Sequence, residues 1–369
     1  MMPENPLLSL VQLGQSPWYD YITRELMASG RLARLIADDG LRGMTSNPTI
    51  FQKAVAGSSD YDDDIRRLAA EGRSTAEIFE ALSVLDVRAA CDVFRPLYDA
   101  TGRADGFVSL EVSPDLAHDT EATVAAATRL WRAVDRPNAM IKIPGTREGL
   151  PAITESLARG VNINITLLFS VDRYREVIAA FLDGLARRVE KGQPIDRIAS
   201  VASFFVSRVD GRVDPLLVQA GDPKGLRGTI AIANAGVAYE VFERSLETPA
   251  WKALATKGAR PQRPLWASTS TKDPRYPDTY YVEALIAPMT VNTMPPETLD
   301  AYRDHGRPEV RIRRAMAEAP ARFAALEASG ISLAEVTRFL EDDGVAKFAE
   351  SYRKLLAGIE TKLGVLAAR

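Results

Sequence analysis

One lysine stands in the middle of an apolar segment. Lys142 lies within AMIKIPGTREG, residues 139–149, where Ile141 and Ile143 flank it in a pattern typical of a buried strand. A buried ammonium group is costly, so such a lysine must pair with an opposite charge, extend to the surface or lose its proton. A structural ion pair is the simplest explanation. The neutral amine is instead a nucleophile that forms an imine with a carbonyl substrate.

Several other strand-like segments carry polar side chains at alternate positions, which share one face of a strand. Within VNINITLL, residues 161–168, the polar residues are Asn162, Asn164 and Thr166. The same alternation gives three further polar pairs, which are Thr45 with Asn47, Ser109 with Glu111, and Thr290 with Asn292. We expect these groups to face the same interior as Lys142. They form either a hydrogen-bonded polar layer or, because five strands contribute, a site.

These residue types together suit one kind of chemistry. The iminium ion formed by an amine and a ketone accepts electrons when the neighbouring carbon–carbon bond breaks. A carboxylate such as Glu111 can move the protons, while amides and hydroxyls can bind a polyol. The two histidines, His118 and His305, lie far from any G-x-S-x-G pattern, so a histidine-based nucleophile triad is not predicted.

The elements that must position these residues alternate in type. Apolar or β-branched segments predict eight strands, at 18–22, 41–47, 106–112, 139–144, 161–168, 198–206, 264–269 and 286–292. The segments between them, such as 119–136 and 170–191, have helical periodicity. This alternation indicates a parallel sheet, and eight strands favour closure into an α/β fold of the (β/α)8 TIM-barrel type. A doubly wound open sheet is the alternative, but no G-x-G-x-x-G follows an early strand.

The barrel is expected to carry additional N-terminal and C-terminal helices. Residues 310–369 contain at least two amphipathic helices, which we expect to pack on the barrel as a C-terminal extension. We find no repeat and no low-complexity linker, so residues 1–369 are predicted to form a single domain.

Composition excludes several classes of function. The 46 Lys and Arg residues nearly balance 49 Asp and Glu residues, giving a net charge of −3 and no field that favours nucleic acid. One cysteine, Cys91, and two histidines are too few for an intrachain disulfide or a cysteine/histidine zinc site. The N-terminus does not resemble a signal peptide, and no segment is long and apolar enough to span a membrane. We therefore expect a cytoplasmic protein.

Six segments, in order along nearly the whole chain, match one known family. They are GMTSNPTIFQKA (43–54), VSLEVSPDLAHDT (108–120), MIKIPGTREGLPAI (140–153), GVNINITLLFS (160–170), VASFFVSRVDGRVD (201–214) and STSTKDPRYPDTYYVEALIAPMTVNTMP (268–295). In these segments the chain resembles transaldolases of the longer bacterial type. The resemblance implies a class I, Schiff-base barrel enzyme of the pentose phosphate pathway, which acts on sugar phosphates without a metal or organic cofactor. It leaves open whether the protein is a monomer or a homodimer.

The resemblance also assigns catalytic roles. It implies that Lys142 forms the imine with fructose 6-phosphate or sedoheptulose 7-phosphate, and that Asp20 takes the hydroxyl proton as the carbon–carbon bond breaks. Glu111 and Thr166 match the pair that, through a water molecule, handles the protons of imine formation. The dihydroxyacetone unit then passes to glyceraldehyde 3-phosphate or erythrose 4-phosphate.

Substrate-binding residues carry over in the same way. Asn47 and Asn164 match positions that bind the dihydroxyacetone hydroxyls. The resemblance implies that Thr45 and Ser203 support them and that Phe205 forms an apolar wall.

Arg208 and Ser268 match the phosphate site of the family. The commoner pattern has a second arginine two residues after that serine, where this chain has Ser270. We expect Lys272 to replace it as a point charge.

The sequence also leaves simpler roles for Asp20 and Arg208 open, and other functions for the chain. Asp20 could cap a helix in the following segment TRELMASG, and Arg208 could pair with Asp210 or Asp214 on a solvated surface. The chain could also be a fructose 6-phosphate aldolase that releases free dihydroxyacetone, or a barrel that binds sugar phosphates without catalysis.

Overall fold

The computed structural model describes residues 5–221 and 225–367, and this part of the chain contains a closed barrel of eight parallel strands. Each strand pairs with its neighbours in chain order, and β1 closes the barrel against β8. The strands are β1 (Gln15–Asp20), β2 (Gly43–Thr45), β3 (Phe107–Glu111), β4 (Ala139–Pro144), β5 (Ile163–Leu168), β6 (Ser200–Phe205), β7 (Arg263–Ala267) and β8 (Thr290–Met294). All eight overlap the predicted segments, so the predicted TIM barrel is confirmed and the open sheet is wrong.

The described residues also form sixteen α-helices. Those of the first half are α1 (Pro6–Gln12), α2 (Arg24–Ala28), α3 (Arg31–Asp38), α4 (Pro48–Gly57), α5 (Asp62–Ala70), α6 (Thr75–Ala100), α7 (Thr120–Val134) and α8 (Gly149–Ala158). Those of the second half are α9 (Val171–Glu190), α10 (Ser207–Gln219), α11 (Ile230–Ser245), α12 (Pro249–Ala255), α13 (Tyr280–Ala284), α14 (Pro296–His305), α15 (Ile312–Ala328) and α16 (Leu333–Ala367).

Helices outside the barrel repeat occur at both ends of the chain, as predicted. Asn5 caps α1, which buries Leu7 and Leu10 and packs against β1 and α14. At the other end, α15 packs against α11, while α16 lies against α4, α5, α6 and α10. The last helix therefore crosses helices that follow β2 and β6, two strands that end on the same face of the barrel.

One prediction about side-chain direction is wrong. Thr290 donates to the carbonyl of Ala287 (2.6 Å), and Asn292 Oδ1 accepts from Thr269 Oγ1 (2.8 Å), so this pair does not join Lys142. The inward residue of β8 is Thr293, whose Oγ1 lies 2.7 Å from Thr45 Oγ1. Alternation shows which side chains share a face but not which face is inward, and buried polar groups are tolerated on either face when hydrogen-bonded.

Asn162 likewise has a structural place outside the site. Its amide donates to the carbonyls of Pro137 and Ala139 (3.0 Å each), and its Oδ1 accepts from the backbone of Ala199 (2.9 Å). Asn162 therefore ties together the beginnings of β4, β5 and β6, at the opposite end of the strands from the predicted site.

The interior layer below the site depends on one glycine. Gly43 pairs with Trp18 across β1 and β2, and a Cβ atom at Gly43 would lie 2.4 Å from Trp18 Cε2. We expect Gly43→Ala to lower the free energy of unfolding by about 2–3 kcal/mol, because the fully buried indole has no space to move. Urea denaturation measures this change. Gly57→Ala is the control, since nothing lies within 4 Å of its added Cβ, and equal losses in both variants would contradict the prediction.

Candidate active site

A cavity of about 880 Å³ opens at the C-terminal ends of the strands. This is the end at which TIM barrels build their active sites. Ten of the twelve predicted site residues line it, namely Asp20, Thr45, Asn47, Lys142, Thr166, Ser203, Phe205, Arg208, Ser268 and Lys272. The other two, Glu111 and Asn164, lie directly behind the lining, where they contact Lys142 and Ser203. The structure thus brings together residues from seven of the eight strands or the loops that follow them.

Lys142 lies in β4 with its amine at the base of the cavity. Its Nζ donates to the carbonyl of Ser46 (3.1 Å) and lies 3.4 Å from Glu111 Oε2. The side chains of Lys142 and Glu111 are only 6% and 7% exposed. Ile141 and Ile143, on the other face of β4, are fully buried. Lys142 therefore does form the ion pair considered from the sequence, with Glu111. The same pairing places the amine beside a carboxylate that can exchange protons with it.

Two carboxyl groups, Asp20 and Glu111, feel the positive charge of Lys142. Burial raises the pKa of Asp20 and of Glu111 above their ordinary values, and the positive charge of Lys142 opposes the rise in both. Asp20 Oδ1 accepts a hydrogen bond of 2.6 Å from Thr45 Oγ1. Carboxyl groups with raised pKa values can give and take protons closer to neutral pH, which is a property of acid and base catalysts.

Glu111 and Thr166, the pair predicted to handle the protons of imine formation, each have a buried oxygen atom with unused hydrogen-bonding capacity. Beyond the ion pair with Lys142, Glu111 Oε2 has no hydrogen-bond partner among the described residues, and neither has Thr166 Oγ1. Both atoms are fully buried. Buried polar atoms are nearly always satisfied, so these two are candidates for contacts with a reacting molecule or a water molecule.

The structure decides against a capping role for Asp20. The helix that follows, α2, is capped by Thr23, whose Oγ1 accepts from the backbone of Leu26 (3.2 Å). Asp20 is instead the last residue of β1, and it lines the cavity. The alternative that Asp20 is a helix cap is therefore wrong.

Amides and hydroxyls extend the polar surface on both sides of the lysine. Asn164 donates to Ser109 Oγ (3.0 Å) and accepts from Ser203 Oγ (2.6 Å). Asn47 is the N-cap of α4, where its Oδ1 accepts from the backbone of Ile50 (3.0 Å). These bonds fix both amides in single orientations at the cavity.

A half-buried arginine lies on the other side of the cavity. Arg208 is in the first turn of α10, and its guanidinium carbon lies 5.2 Å from the ring centre of Phe205. Burial lowers the pKa of Arg208, and its Nη1 has no hydrogen-bond partner among the described residues. An arginine with an unused buried donor is suited to a bound anion.

The carboxylates suggested as partners of Arg208 bind other groups. Asp210 accepts from the backbone of Ala231 (2.7 Å) and the hydroxyl of Tyr281 (2.9 Å). Asp214 accepts from the backbone of Gly228 (3.0 Å) and the hydroxyl of Tyr276 (2.7 Å). The solvated ion pair considered from the sequence is therefore wrong.

The loop after β7 adds two more polar groups to the lining of the cavity that Arg208 faces. Ser268 has a left-handed backbone (φ 56°), and its Oγ lies 3.0 Å from Ser207 Oγ. Lys272 Nζ donates to Ser270 Oγ (2.8 Å) at the edge of the cavity. A positive φ is uncommon for serine and is found more often at functional sites.

Sequence reasoning missed a second group of lining residues. They are Lys53, Arg212, Thr293, Glu297, Phe339, Asp343, Lys347 and Phe348. A signal existed for Arg212, because it follows Arg208 by four residues on one helix. No local sequence pattern identifies the α16 residues as part of the site, because they lie more than a hundred residues after Arg208 in the chain.

The cavity is more basic than the protein around it. Its lining contains six basic residues, Lys53, Lys142, Arg208, Arg212, Lys272 and Lys347, and three acidic ones, Asp20, Glu297 and Asp343. The whole chain has a net charge of −3. A cleft lined by one sign of charge concentrates ligands of the other sign, so this one favours anions.

Comparison with known proteins agrees with this geometry. A family model described as Transaldolase/Fructose-6-phosphate aldolase matches residues 17–359. The chain belongs to this family. It is 53% identical to the transaldolase of Frankia alni, over 98% of each chain, and 53% identical to the transaldolase of Acidothermus cellulolyticus, over 97% of each. A protein named transaldolase 2 from a Nostoc species is 43% identical, over 99% of this chain and all of its own.

The comparisons bear out the resemblance to transaldolase predicted from the six sequence segments. Because the proteins of this family are enzymes, the comparisons also identify this chain as an enzyme. No helix in residues 5–221 or 225–367 is long and apolar enough to cross a membrane.

Proposed function

We propose that this protein is a transaldolase that transfers a dihydroxyacetone unit between sugar phosphates. The donor is fructose 6-phosphate or sedoheptulose 7-phosphate, and the acceptor is erythrose 4-phosphate or glyceraldehyde 3-phosphate. The observation that carries this proposal is the position of Lys142. Its amine lies in a basic cavity with Glu111 at 3.4 Å, and Asp20 lies on the same cavity surface.

The lysine forms the covalent intermediate. The Lys142 amine adds to the C2 carbonyl of the donor, and the resulting carbinolamine loses water to give an iminium ion. Asp20 then takes the proton of the C4 hydroxyl while the C3–C4 bond breaks and its electron pair moves into the iminium. An aldose phosphate leaves, and the three-carbon enamine stays on the lysine. Addition of C3 to the acceptor aldehyde and hydrolysis of the new iminium complete the transfer.

Glu111 and Thr166 serve the formation and hydrolysis of this imine. Loss of water from the carbinolamine requires an acid, and the reverse reaction requires a base. Glu111 is close enough to Lys142 for either role, and a water molecule held between Glu111 Oε2 and Thr166 Oγ1 would carry the proton. The free hydrogen-bonding capacity of these two buried atoms supports this role.

The dihydroxyacetone part is bound by the amides and hydroxyls around Lys142. Asn47 and Asn164 bind its hydroxyls, and Thr45 and Ser203 hold the neighbouring groups in place. Support comes from the bonds that fix Asp20 to Thr45 and Asn164 to Ser203. Phe205 forms the apolar wall between this part and Arg208.

The phosphate group lies beside Arg208, Ser268 and Lys272. We expect Arg208→Gln to lower kcat/KM for fructose 6-phosphate roughly 10- to 100-fold, mainly through KM, since a bond between charged groups contributes about 1.5–3 kcal/mol. Lys272→Met should lower kcat/KM less, because a lysine binds phosphate as a point charge and Lys272 already donates one hydrogen bond to Ser270. Steady-state kinetics measure both effects. Arg187→Gln, on the surface of α9, is the control, and a similar loss there would contradict the phosphate assignment.

A borohydride experiment tests the proposal and its alternatives. The protein is incubated with fructose 6-phosphate, reduced, digested and analysed by mass spectrometry for a reduced dihydroxyacetone unit on Lys142. Erythrose 4-phosphate is then added to untreated enzyme and substrate. Transfer supports a transaldolase, whereas release of free dihydroxyacetone at the rate of turnover supports an aldolase. Binding without modification of Lys142 would leave a barrel that binds sugar phosphates without catalysis.

The remaining features are part of the same proposal. We expect a cytoplasmic protein of the pentose phosphate pathway that folds as one domain, as a monomer or a homodimer. The lone cysteine, Cys91, is fully buried, which suits a protein that needs no disulfide. The close packing of α16 against α4, α5 and α10 supports one domain rather than two.

A further inference from the structure

The last helix reaches the substrate cavity through a close contact with the barrel. At Gly344, in the middle of α16, an added Cβ would lie 3.1 Å from Leu167 Cδ2 at the end of β5. The absence of a side chain thus lets the helix lie directly on the barrel mouth. Residues one turn to either side, Leu340 and Phe348, consequently line the cavity.

Phe348 meets the arginine that faces the cavity. The Arg208 guanidinium carbon lies 5.2 Å from the ring centre of Phe205 and 5.8 Å from that of Phe348. Phe205 is itself braced by Phe169, with 5.4 Å between ring centres. An arginine flanked by two aromatic rings loses much of the rotamer freedom of a long side chain.

These ring contacts leave at least one donor of Arg208 without a hydrogen-bond partner among the described residues. This donor is Arg208 Nη1, which is buried. Asp343 of α16 pairs with Lys347 at 2.7 Å, and its negative charge also acts on Arg208, where it opposes the lowering of the pKa by burial. The aromatic rings therefore orient the guanidinium without consuming its hydrogen bonds, as a site for an external anion requires.

We propose that Phe348 is a positioning residue that, with Phe205, holds the Arg208 guanidinium ready for the phosphate group of the sugar. The C-terminal helix thereby takes part in the choice of phosphorylated substrates. This inference rests on the proposed function, because it names Arg208 as a phosphate contact. It adds a residue on α16, which the sequence did not connect with the site.

A purely structural role for Phe348 predicts a different outcome. Phe348 is 8% exposed and belongs to the core, so its loss could simply loosen α16. Looser packing would lower stability and kcat in general. Loss of positioning would weaken phosphate binding in particular, and only where Arg208 is present.

The test combines kinetics and phosphate binding. We expect Phe348→Leu to raise KM for fructose 6-phosphate roughly 5- to 10-fold with little change in kcat, and to weaken binding of inorganic phosphate by a similar factor in a phosphorus NMR titration. Phe348→Trp should restore most of both, since indole also stacks on arginine. In the Arg208→Gln background, Phe348→Leu should have no further effect on either quantity.

A control variant distinguishes loss of helix packing from loss of Arg208 positioning, and the wild-type protein tests the proposed function separately. Ile359→Ala removes a fully buried side chain from the same helix far from Arg208, and it should lower the melting temperature without weakening phosphate binding. Unchanged phosphate binding in Phe348→Leu, or an equal loss in the Arg208→Gln background, would overturn the inference. If Phe348→Leu does not fold, Phe348→Met serves in its place. A wild-type protein that binds phosphate but transfers nothing would instead refute the proposed function.

Discussion

Lys142→Ala is expected to abolish transfer, with a loss of roughly 10⁴-fold or more in kcat, while the barrel stays folded. The reason is chemical, because among the described lysines that line the cavity only Lys142 forms an ion pair with Glu111 and can act as the nucleophile beside it. Lys142 Nζ is held between the carbonyl of Ser46 and the carboxylate of Glu111, and alanine removes it entirely. Activity is measured with fructose 6-phosphate and erythrose 4-phosphate, and folding by circular dichroism.

Lys142→Arg sharpens this prediction. Arginine keeps the positive charge beside Glu111, but the guanidinium stays protonated and cannot act as the nucleophile. We therefore expect the same loss of activity and no borohydride adduct. Lys252→Ala is the control, since this exposed lysine pairs with Glu247 on the surface and should leave adduct and activity intact. A folded and fully active Lys142→Arg protein would exclude the imine mechanism.

Asp20→Asn is expected to lower kcat by roughly 10²- to 10⁴-fold without preventing formation of the imine. Asparagine keeps the shape and can still accept the hydrogen bond of Thr45, but it cannot take the proton of the C4 hydroxyl. The variant should accumulate a borohydride-trapped adduct of the whole sugar phosphate instead of the three-carbon unit. Mass spectrometry of the Lys142 peptide distinguishes the two adducts. An adduct of the three-carbon unit formed at the wild-type rate would assign the proton transfer to another group.

The raised pKa of Asp20 also predicts how activity depends on pH. As a base, Asp20 must be ionised, so kcat/KM should fall on acidification at a pH above the ordinary aspartate value of about 3.9. Glu297, whose negative charge helps to raise the pKa of Asp20, offers a check. In Glu297→Gln the acid limb should move to lower pH, and an unmoved limb would mean that another group controls it.

The same shift makes a prediction about stability. A carboxyl group with a raised pKa in the folded state favours folding below its unfolded pKa, and this contribution is lost as the pH rises through the folded pKa. Above the unfolded pKa, the buried carboxyl group of Asp20 therefore lowers the stability of the fold. We expect Asp20→Asn to melt no lower than the wild-type protein at neutral pH, although it is inactive. A marked drop in melting temperature would indicate that the carboxylate is needed structurally.

The sequence by itself determined the barrel and most of the site. The alternation of short apolar strands with long helices predicted all eight strands, because hydrophobic periodicity is a local property. It predicted the first strand least well: Gln15–Asp20 was expected at 18–22, since Pro17 and polar residues weaken a strand pattern. Lys142 was predicted from its place between two isoleucines. The six matching segments supplied the remaining residues except Asp20, which was assigned from the resemblance although it lies before the first segment.

Only the tertiary structure decided which groups face the cavity and what covers it. Alternation grouped Thr290 with Asn292 but could not show that Thr293 is the inward residue, because direction depends on how the closed sheet twists and pairs. The contact of Phe348 with Arg208 joins segments 140 residues apart, and no local pattern encodes it. Contacts of this kind depend on how a helix packs against the barrel, so they follow from tertiary packing rather than from local propensity or periodicity.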